Sequence, residues 1–132
     1  MGYCIEMLDS KFKIKKEDFD KALESLKSVF VKDRMTCQDS SGYHYSWINT
    51  NYVLEAETLS EALEEIRYET IYDDNGNIIQ VEFTGEKLGD DMIFFEALAP
   101  YVEDESYISF AGEDGYLWKY IFEKGKVKEI SI

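Results

Sequence analysis

The chain has 132 residues and a formal net charge of −14, from 28 Asp and Glu side chains against 14 Lys and Arg. It is 45% hydrophobic and 15% aromatic, which excludes a disordered chain and predicts one acidic domain over 1–132. A bilayer-spanning apolar run and an export signal are both absent from the sequence, so we expect a cytoplasmic protein that does not bind membranes.

The first third of the chain changes from a strand pattern to a helix pattern. Residues 2–8 form a short apolar segment typical of a strand, and the apolar residues of 17–31 recur every three or four positions, which predicts a helix. Residues 33–42 are polar and predict a loop. Residues 43–48 alternate and predict a strand, and 49–57 fit a short helical turn.

A second helix and a hairpin follow. Thr58 and Glu61 have the spacing of a capping box ahead of an apolar stripe, which predicts a helix from that point. The dipeptide at 75–76, Asn-Gly, predicts a type I′ hairpin. Pairing outward from that turn places Tyr68 opposite Phe83, Thr70 opposite Val81, Tyr72 opposite Ile79 and Glu69 opposite Glu82.

The last third predicts a helix and a meander. The helix should begin near Asp90, with Asp90 or Asp91 as its cap, and end before Pro100. A loop over 101–105 and three strands over 106–132 should follow, with turns at 112–115 and 124–125. Tight turns require antiparallel pairing. The expected fold is therefore α+β, a mostly antiparallel sheet with about three helices on one face and a C-terminal three-stranded meander.

Catalytic signatures are not evident in the sequence. His44 is the only histidine, and neither it nor Cys4 and Cys37 have the spacing of a zinc site. Cys37 and His44 could act as nucleophile and base, but a third residue to orient the histidine is not apparent. The Gly-Glu-Asp-Gly stretch at 112–115 is typical of a turn, since its two acids would repel a phosphate. We expect no metal, no cofactor and no enzymatic activity.

The negative charge is concentrated in the middle of the chain. Residues 36–118 contain nineteen acidic and two basic side chains, whereas 119–132 contain four Lys and two Glu. Glu61, Glu64 and Glu65 should face outward on the second helix. We expect the loops at 103–105 and 112–115 to form an anionic, aromatic patch if they lie close together. The predicted partner-binding residues are Asp90, Asp91, Tyr101, Glu103, Asp104, Glu105, Glu113, Asp114 and Tyr116.

Three functions are compatible with this pattern. The first is a non-enzymatic binding or inhibitor module that engages a basic protein surface, such as that of a nucleic-acid-binding protein, and binds no nucleic acid directly. In size and charge alone such a module is similar to phage-encoded inhibitors of host nucleases and to immunity proteins. The second is a structural or regulatory subunit of a homo-oligomer. The third is a small ligand-binding domain or enzyme with a cleft near His44. We expect the first, on the premise that the acidic groups gather on one side of the molecule.

Overall fold

The computed structural model describes residues 3–30, 37–39, 42–44 and 48–132, with only the backbone described for 37–39 and 42–44. The strands are β1 (Ile5–Lys11), β2 (Cys37–Asp39), β3 (Gly42–His44), β4 (Tyr68–Tyr72), β5 (Ile78–Phe83), β6 (Ser106–Gly112), β7 (Leu117–Glu123) and β8 (Lys126–Ser131). The helices are α1 (Phe19–Lys27), α2 (Thr50–Glu55), α3 (Leu59–Glu65) and α4 (Met92–Leu98). The fold is α+β in a single compact domain, as predicted.

The C-terminal meander forms most of a four-stranded antiparallel sheet with the order β1-β6-β7-β8. Its last turn is a two-residue loop, in which Lys124 and Gly125 have φ values of 55° and 75° between the paired residues Glu123 and Lys126. Positive φ at both central positions is the mark of a type I′ turn, which suits the twist of the flanking strands.

β1 is the first strand in the order of the four-stranded sheet, with β6 on one side and the β4-β5 hairpin and the residues that follow it on the other. On the hairpin side, the N–H of Ile5 donates to the Glu86 carbonyl at 2.9 Å, near one end of the strand. Past the other end, the N–H of Phe12 donates to the Ile79 carbonyl at 3.1 Å. The sheet and the hairpin region are therefore joined near both ends of β1.

The middle of this junction is completed by a side chain. Buried Ser10 donates from Oγ to the Val81 carbonyl at 2.6 Å and accepts from the Val81 N–H at 3.3 Å. On the opposite side of β1, the register with β6 shifts at Leu8, which forms a bulge. The serine hydroxyl thus satisfies both backbone groups of a buried strand residue.

The core lies between one face of the sheet and the helices. Alternate residues of β6 and β7 are buried on that face, as period-two patterning requires. Phe95 of α4 joins the layers, because its ring lies 5.6 Å from Tyr68, 4.8 Å from Tyr120 and 5.9 Å from Phe122 between ring centres. Phe94 stacks on Phe30, beyond the end of α1, at 5.5 Å.

The register of the β4-β5 hairpin is confirmed from Tyr68–Phe83 to Ile71–Gln80, but the turn is different. The Asp73 carboxylate accepts from the N–H groups of Asn75 and Asn77, both at 2.9 Å, and only Gly76 in the turn has a positive φ, 87°. The type I′ prediction was therefore wrong. Tyr72 pairs with Ile78 instead of Ile79 because β5 has one residue more than β4 at this point, Ile79, which forms a bulge.

Several boundaries also differ from prediction. β1 begins at Ile5, α1 begins after a 3-10 turn at 16–18 and ends at Lys27, and β2 lies within the predicted loop 33–42. The short helical turn in 49–57 is α2, whose N-cap Asn49 accepts from the Tyr52 N–H. Predictions for residues 31–36, 40–41 and 45–47 fall outside the described residues.

Candidate binding surfaces

The Gly-Glu-Asp-Gly stretch is a turn that holds the N-terminal strand in place. The N–H of Gly115 donates to the Gly112 carbonyl at 2.9 Å, and Gly115 has a φ of 87°. Glu113 accepts from the Cys4 N–H at 2.9 Å, and Asp114 accepts from the Tyr3 hydroxyl. Both carboxylates are thus engaged within the chain.

Tyr3 crosses Gly112 at close range to reach this turn, and a side chain at that position would collide with the phenol ring. The hydrogen bond to Asp114 raises the pKa of Tyr3 to about 12 and holds the pKa of Asp114 below its ordinary value. Tyr116 is 47% exposed and its ring stacks on Trp118 at 5.6 Å, with its hydroxyl bonded to Ser131. This end of the sheet is an aromatic surface with two internally bonded acids.

The loop at 103–105 lies at the other end of β6 from this turn. A seven-residue strand spans roughly 20 Å at about 3.3 Å per residue, so the condition for a common patch, that the two loops lie close together, is not met. Asp104 accepts from the Lys124 N–H at 2.8 Å, which places the loop beside the lysine-rich turn before β8. Glu103 and Glu105 are exposed there, and Tyr101 is half-buried.

Asp91 is not on the surface. Its side chain is 5% exposed, and its two carboxylate oxygens accept from Arg67 Nη2 at 3.1 and 3.2 Å. The Tyr68 hydroxyl donates to it at 2.8 Å, and burial is the main cause that raises the pKa of Tyr68 well above its ordinary value. Asp91 is the N-cap residue of α4, one of the two that were predicted, but it makes no side-chain capping hydrogen bond. Its burial leaves little of it accessible to a partner, whereas Asp90 is exposed.

Arg67 connects α3 to β4 in an uncommon backbone conformation, with a φ of 81°. Its Nη1 donates to the Lys87 carbonyl at 2.6 Å and its guanidinium lies 4.9 Å above the Phe83 ring centre. These contacts and the ion pair with Asp91 offset the cost of the left-handed conformation.

An acidic surface without lysine or arginine in its own sequence is formed by α2 and α3. Residues 50–65 contain five glutamates and no Lys or Arg. An open groove of about 280 Å³ lies between the two helices. We call it the α2–α3 acidic groove, and its lining residues are Tyr52, Glu55, Ala56, Glu61, Glu64 and Glu65.

Three of the four acids that line this groove are placed where the helices disfavour them. Glu55 is the last residue of α2, and Glu64 and Glu65 end α3, with no basic residue in the last turn of either helix. The C-terminal end of a helix carries partial negative charge, so acids there cost stability. Lys27 reaches the edge of the groove, where its Nζ donates to the Ala56 carbonyl at 2.6 Å.

Of this groove, the sequence reasoning named Glu61, Glu64 and Glu65 as outward-facing but did not include them among the binding residues. The signal that could have identified it is local. An acidic run without a basic residue that coincides with two helix C-termini contradicts ordinary helix electrostatics. Glu61 also has a capping role, because its Oε2 accepts from the Glu57 N–H at 2.9 Å.

One thiol lies at the surface near the N-terminal end of β1. Lys87 Nζ lies 3.3 Å from Cys4 Sγ, and this hydrogen bond raises the pKa of the lysine. Within the described residues no group of three or more His, Cys, Asp and Glu side chains could hold a metal ion. The side chains of Cys37 and His44 are outside the described residues, so that candidate pair stays a prediction.

No helix among the described residues has the length and apolar character needed to cross a bilayer. Comparison with protein-family models, with curated proteins and with solved structures gives no match to this chain.

Proposed function

We propose that the protein is a non-enzymatic binding module that docks on a basic segment of another protein through the α2–α3 acidic groove. The observation that carries this proposal is the position of Glu55, Glu64 and Glu65 at helix C-termini around an open groove. These acids lower the stability of the isolated domain. Their position is explained if a cationic partner offsets that destabilisation on binding.

Exposed apolar surface beside the acids supports the same proposal. Tyr52 is 57% exposed and Leu54 is 43% exposed on α2. Arginine side chains stack on aromatic rings as well as pairing with carboxylates, so a tyrosine beside several glutamates suits an arginine-containing segment. Phosphate groups would be repelled by the same surface, so nucleic acid is not the ligand that we propose.

The other acidic positions suit this role less well. Glu113 and Asp114 already accept hydrogen bonds from within the chain. In the 103–105 loop, the Asp104 carboxylate already accepts from the Lys124 N–H. The binding would begin with electrostatic steering and end with occlusion of the partner's basic surface. We place this activity in the cytoplasm, a reducing compartment in which a thiol such as Cys4 persists.

The test is capture of basic proteins from the native cell extract by the immobilised chain and by two variants with the same net charge. The first variant is Glu55→Gln, Glu64→Gln, Glu65→Gln, which alters the groove but leaves the Glu61 cap. The second is Glu103→Gln, Glu105→Gln, Glu123→Gln, which removes three exposed acids near the lysines.

We expect the wild-type chain to retain a basic protein that about 0.5 M salt releases. The groove variant should retain it about tenfold less strongly, at roughly 0.5 kcal/mol for each exposed charge pair, and the second variant should retain it as the wild type does. If both variants retain the basic protein equally weakly, binding depends on net charge alone and not on the groove. If the wild-type chain retains no basic protein, the proposal is contradicted.

A further inference from the structure

β8 is the end strand of the four-stranded sheet, and no strand among the described residues pairs with its outer side. It pairs with β7 through six consecutive residues without a bulge, from Trp118–Ser131 to Glu123–Lys126. It also contains no proline. Natural edge strands are commonly protected by bulges, prolines, short length or charged side chains, and of these β8 has only the charged side chains, among them Lys126 and Lys128.

A groove of about 410 Å³ lies along this edge. Its lining residues are Ile121, Glu123, Lys124, Lys126, Val127 and Lys128. The groove thus combines two aliphatic side chains with three lysines and a single acid. An unpaired strand beside a partly apolar groove is the arrangement in which an extended peptide can add to a sheet, with main-chain hydrogen bonds for affinity and side-chain contacts for specificity.

Pairing of β8 with a second copy of itself is disfavoured by charge. A two-fold axis perpendicular to the sheet pairs residues on the same face, and the residue at the axis meets its own copy. Centring the pair on Lys128 opposes two lysines, and centring it on Glu129 opposes two glutamates. Centring it on Val127 opposes Lys126 to the partner's Lys128. The registers centred on these three residues therefore oppose like charges. Centring the pair on Ile130 opposes Ile130 to its own copy and Glu129 to Ser131, which avoids like charges but pairs only three residues of β8.

The spacing of the lysines on β8 indicates the charge pattern that a partner strand should have. Lys126 and Lys128 are both exposed and are two residues apart, so they lie on the same face of β8. An antiparallel strand with acidic residues at alternate positions would place a carboxylate opposite each of them. We propose that β8 is a strand-addition site for an extended acidic segment of another protein. This inference concerns a different surface from the α2–α3 acidic groove and does not depend on it.

The test uses the full chain, labelled with nitrogen-15, at about 0.15 M salt, where screening leaves only nearby charges effective. The probe is a ten-residue peptide in which Glu and Thr alternate. One control peptide has Lys in place of Glu, and another has the five Glu and five Thr in two blocks. We expect the alternating acidic peptide to shift the amide signals of 126–131 and to slow their hydrogen exchange.

The exposed lysines provide the matched variant. Lys126→Ser, Lys128→Ser should weaken binding of the alternating peptide about three- to tenfold and leave the fold unchanged, whereas Lys11→Ser, Lys13→Ser should leave binding unchanged. Absence of shifts in β8 at millimolar peptide would overturn the inference, as would equal shifts from either control peptide. Self-association of the β8 variant without peptide binding would show that the lysines only protect the edge.

Discussion

Two neighbouring aspartates at the start of α4 have opposite surroundings. Asp90 is exposed, whereas the Asp91 carboxylate is paired with Arg67 and receives the Tyr68 hydroxyl. Removing one partner of a buried ion pair leaves the other charge unpaired, which costs about 3–5 kcal/mol. We expect Asp91→Asn to lower the free energy of unfolding by about that amount, measured by urea denaturation.

Asp90→Asn is the control for this prediction, because it changes the same residue type one position earlier. We expect a change within about 0.5 kcal/mol, as for other exposed substitutions. Equal effects of the two substitutions would mean that the Asp91 ion pair contributes nothing specific.

The hydrogen bond between Tyr3 and Asp114 should affect the stability of the protein at acid pH. The folded pKa of Asp114 is below the ordinary value of 3.8, so its contribution to stability is complete above that pH and is lost as the pH falls through the folded pKa. In Tyr3→Phe we expect the Asp114 pKa to rise towards 3.8, measured by NMR titration of the carboxyl group.

Tyr107→Phe is the matched control, since Tyr107 donates to Asp9 at 2.7 Å in a comparable exposed pair on the same sheet. It should leave the Asp114 pKa unchanged. An unaltered Asp114 pKa in Tyr3→Phe would exclude the phenol as the cause of the shift.

At the scale of elements, the α2–α3 acidic groove should show a conflict between stability and binding. Glu64 and Glu65 oppose the dipole at the end of α3. Glu64→Gln, Glu65→Gln should therefore raise the free energy of unfolding by about 0.3–1 kcal/mol, measured by urea denaturation. Glu17→Gln, Asp18→Asn, ahead of α1, should lower it instead, because acids there favour the helix. Destabilisation by the α3 substitutions would remove the electrostatic basis of the proposed function.

Helices and strands could be predicted from the sequence where the signal lies in residues that are close together in the chain. The β4-β5 register follows from alternation, and the α3 start follows from Thr58, which accepts from the Glu61 N–H. The type of turn could not be predicted from the dipeptide Asn75-Gly76 alone. It depends also on the Asp73 carboxylate, which accepts from two backbone N–H groups of the turn.

At the scale of the whole molecule, sequence patterns could not place the candidate site. Glu103–Glu105 and Glu113 are close in the chain, yet β6 separates them, and Asp91 differs from Asp90 through its burial and its contacts with Arg67 and Tyr68. The condition for one shared patch, that the two loops lie close together, is therefore not met. Such long-range pairings depend on which strands become neighbours, a property that no short window of sequence contains.

The net charge of −14 should make stability depend on ionic strength. Repulsion among surplus acids destabilises the folded chain, and salt screens it over about 10 Å at 0.1 M. We expect the thermal unfolding midpoint to rise between about 0.01 M and 0.5 M sodium chloride, measured by circular dichroism. A midpoint that falls over this range would indicate that favourable ion pairs outweigh the repulsion.

The position of β1 between β5 and β6 has a consequence for folding during synthesis. β1 is synthesised before both of the strands that lie beside it. About a hundred residues separate Ile5 from its partner Gly112, a delay of roughly 5–20 s at the usual speed of translation. β1 therefore stays unpaired in the nascent chain during that interval, when it is open to pairing with another chain.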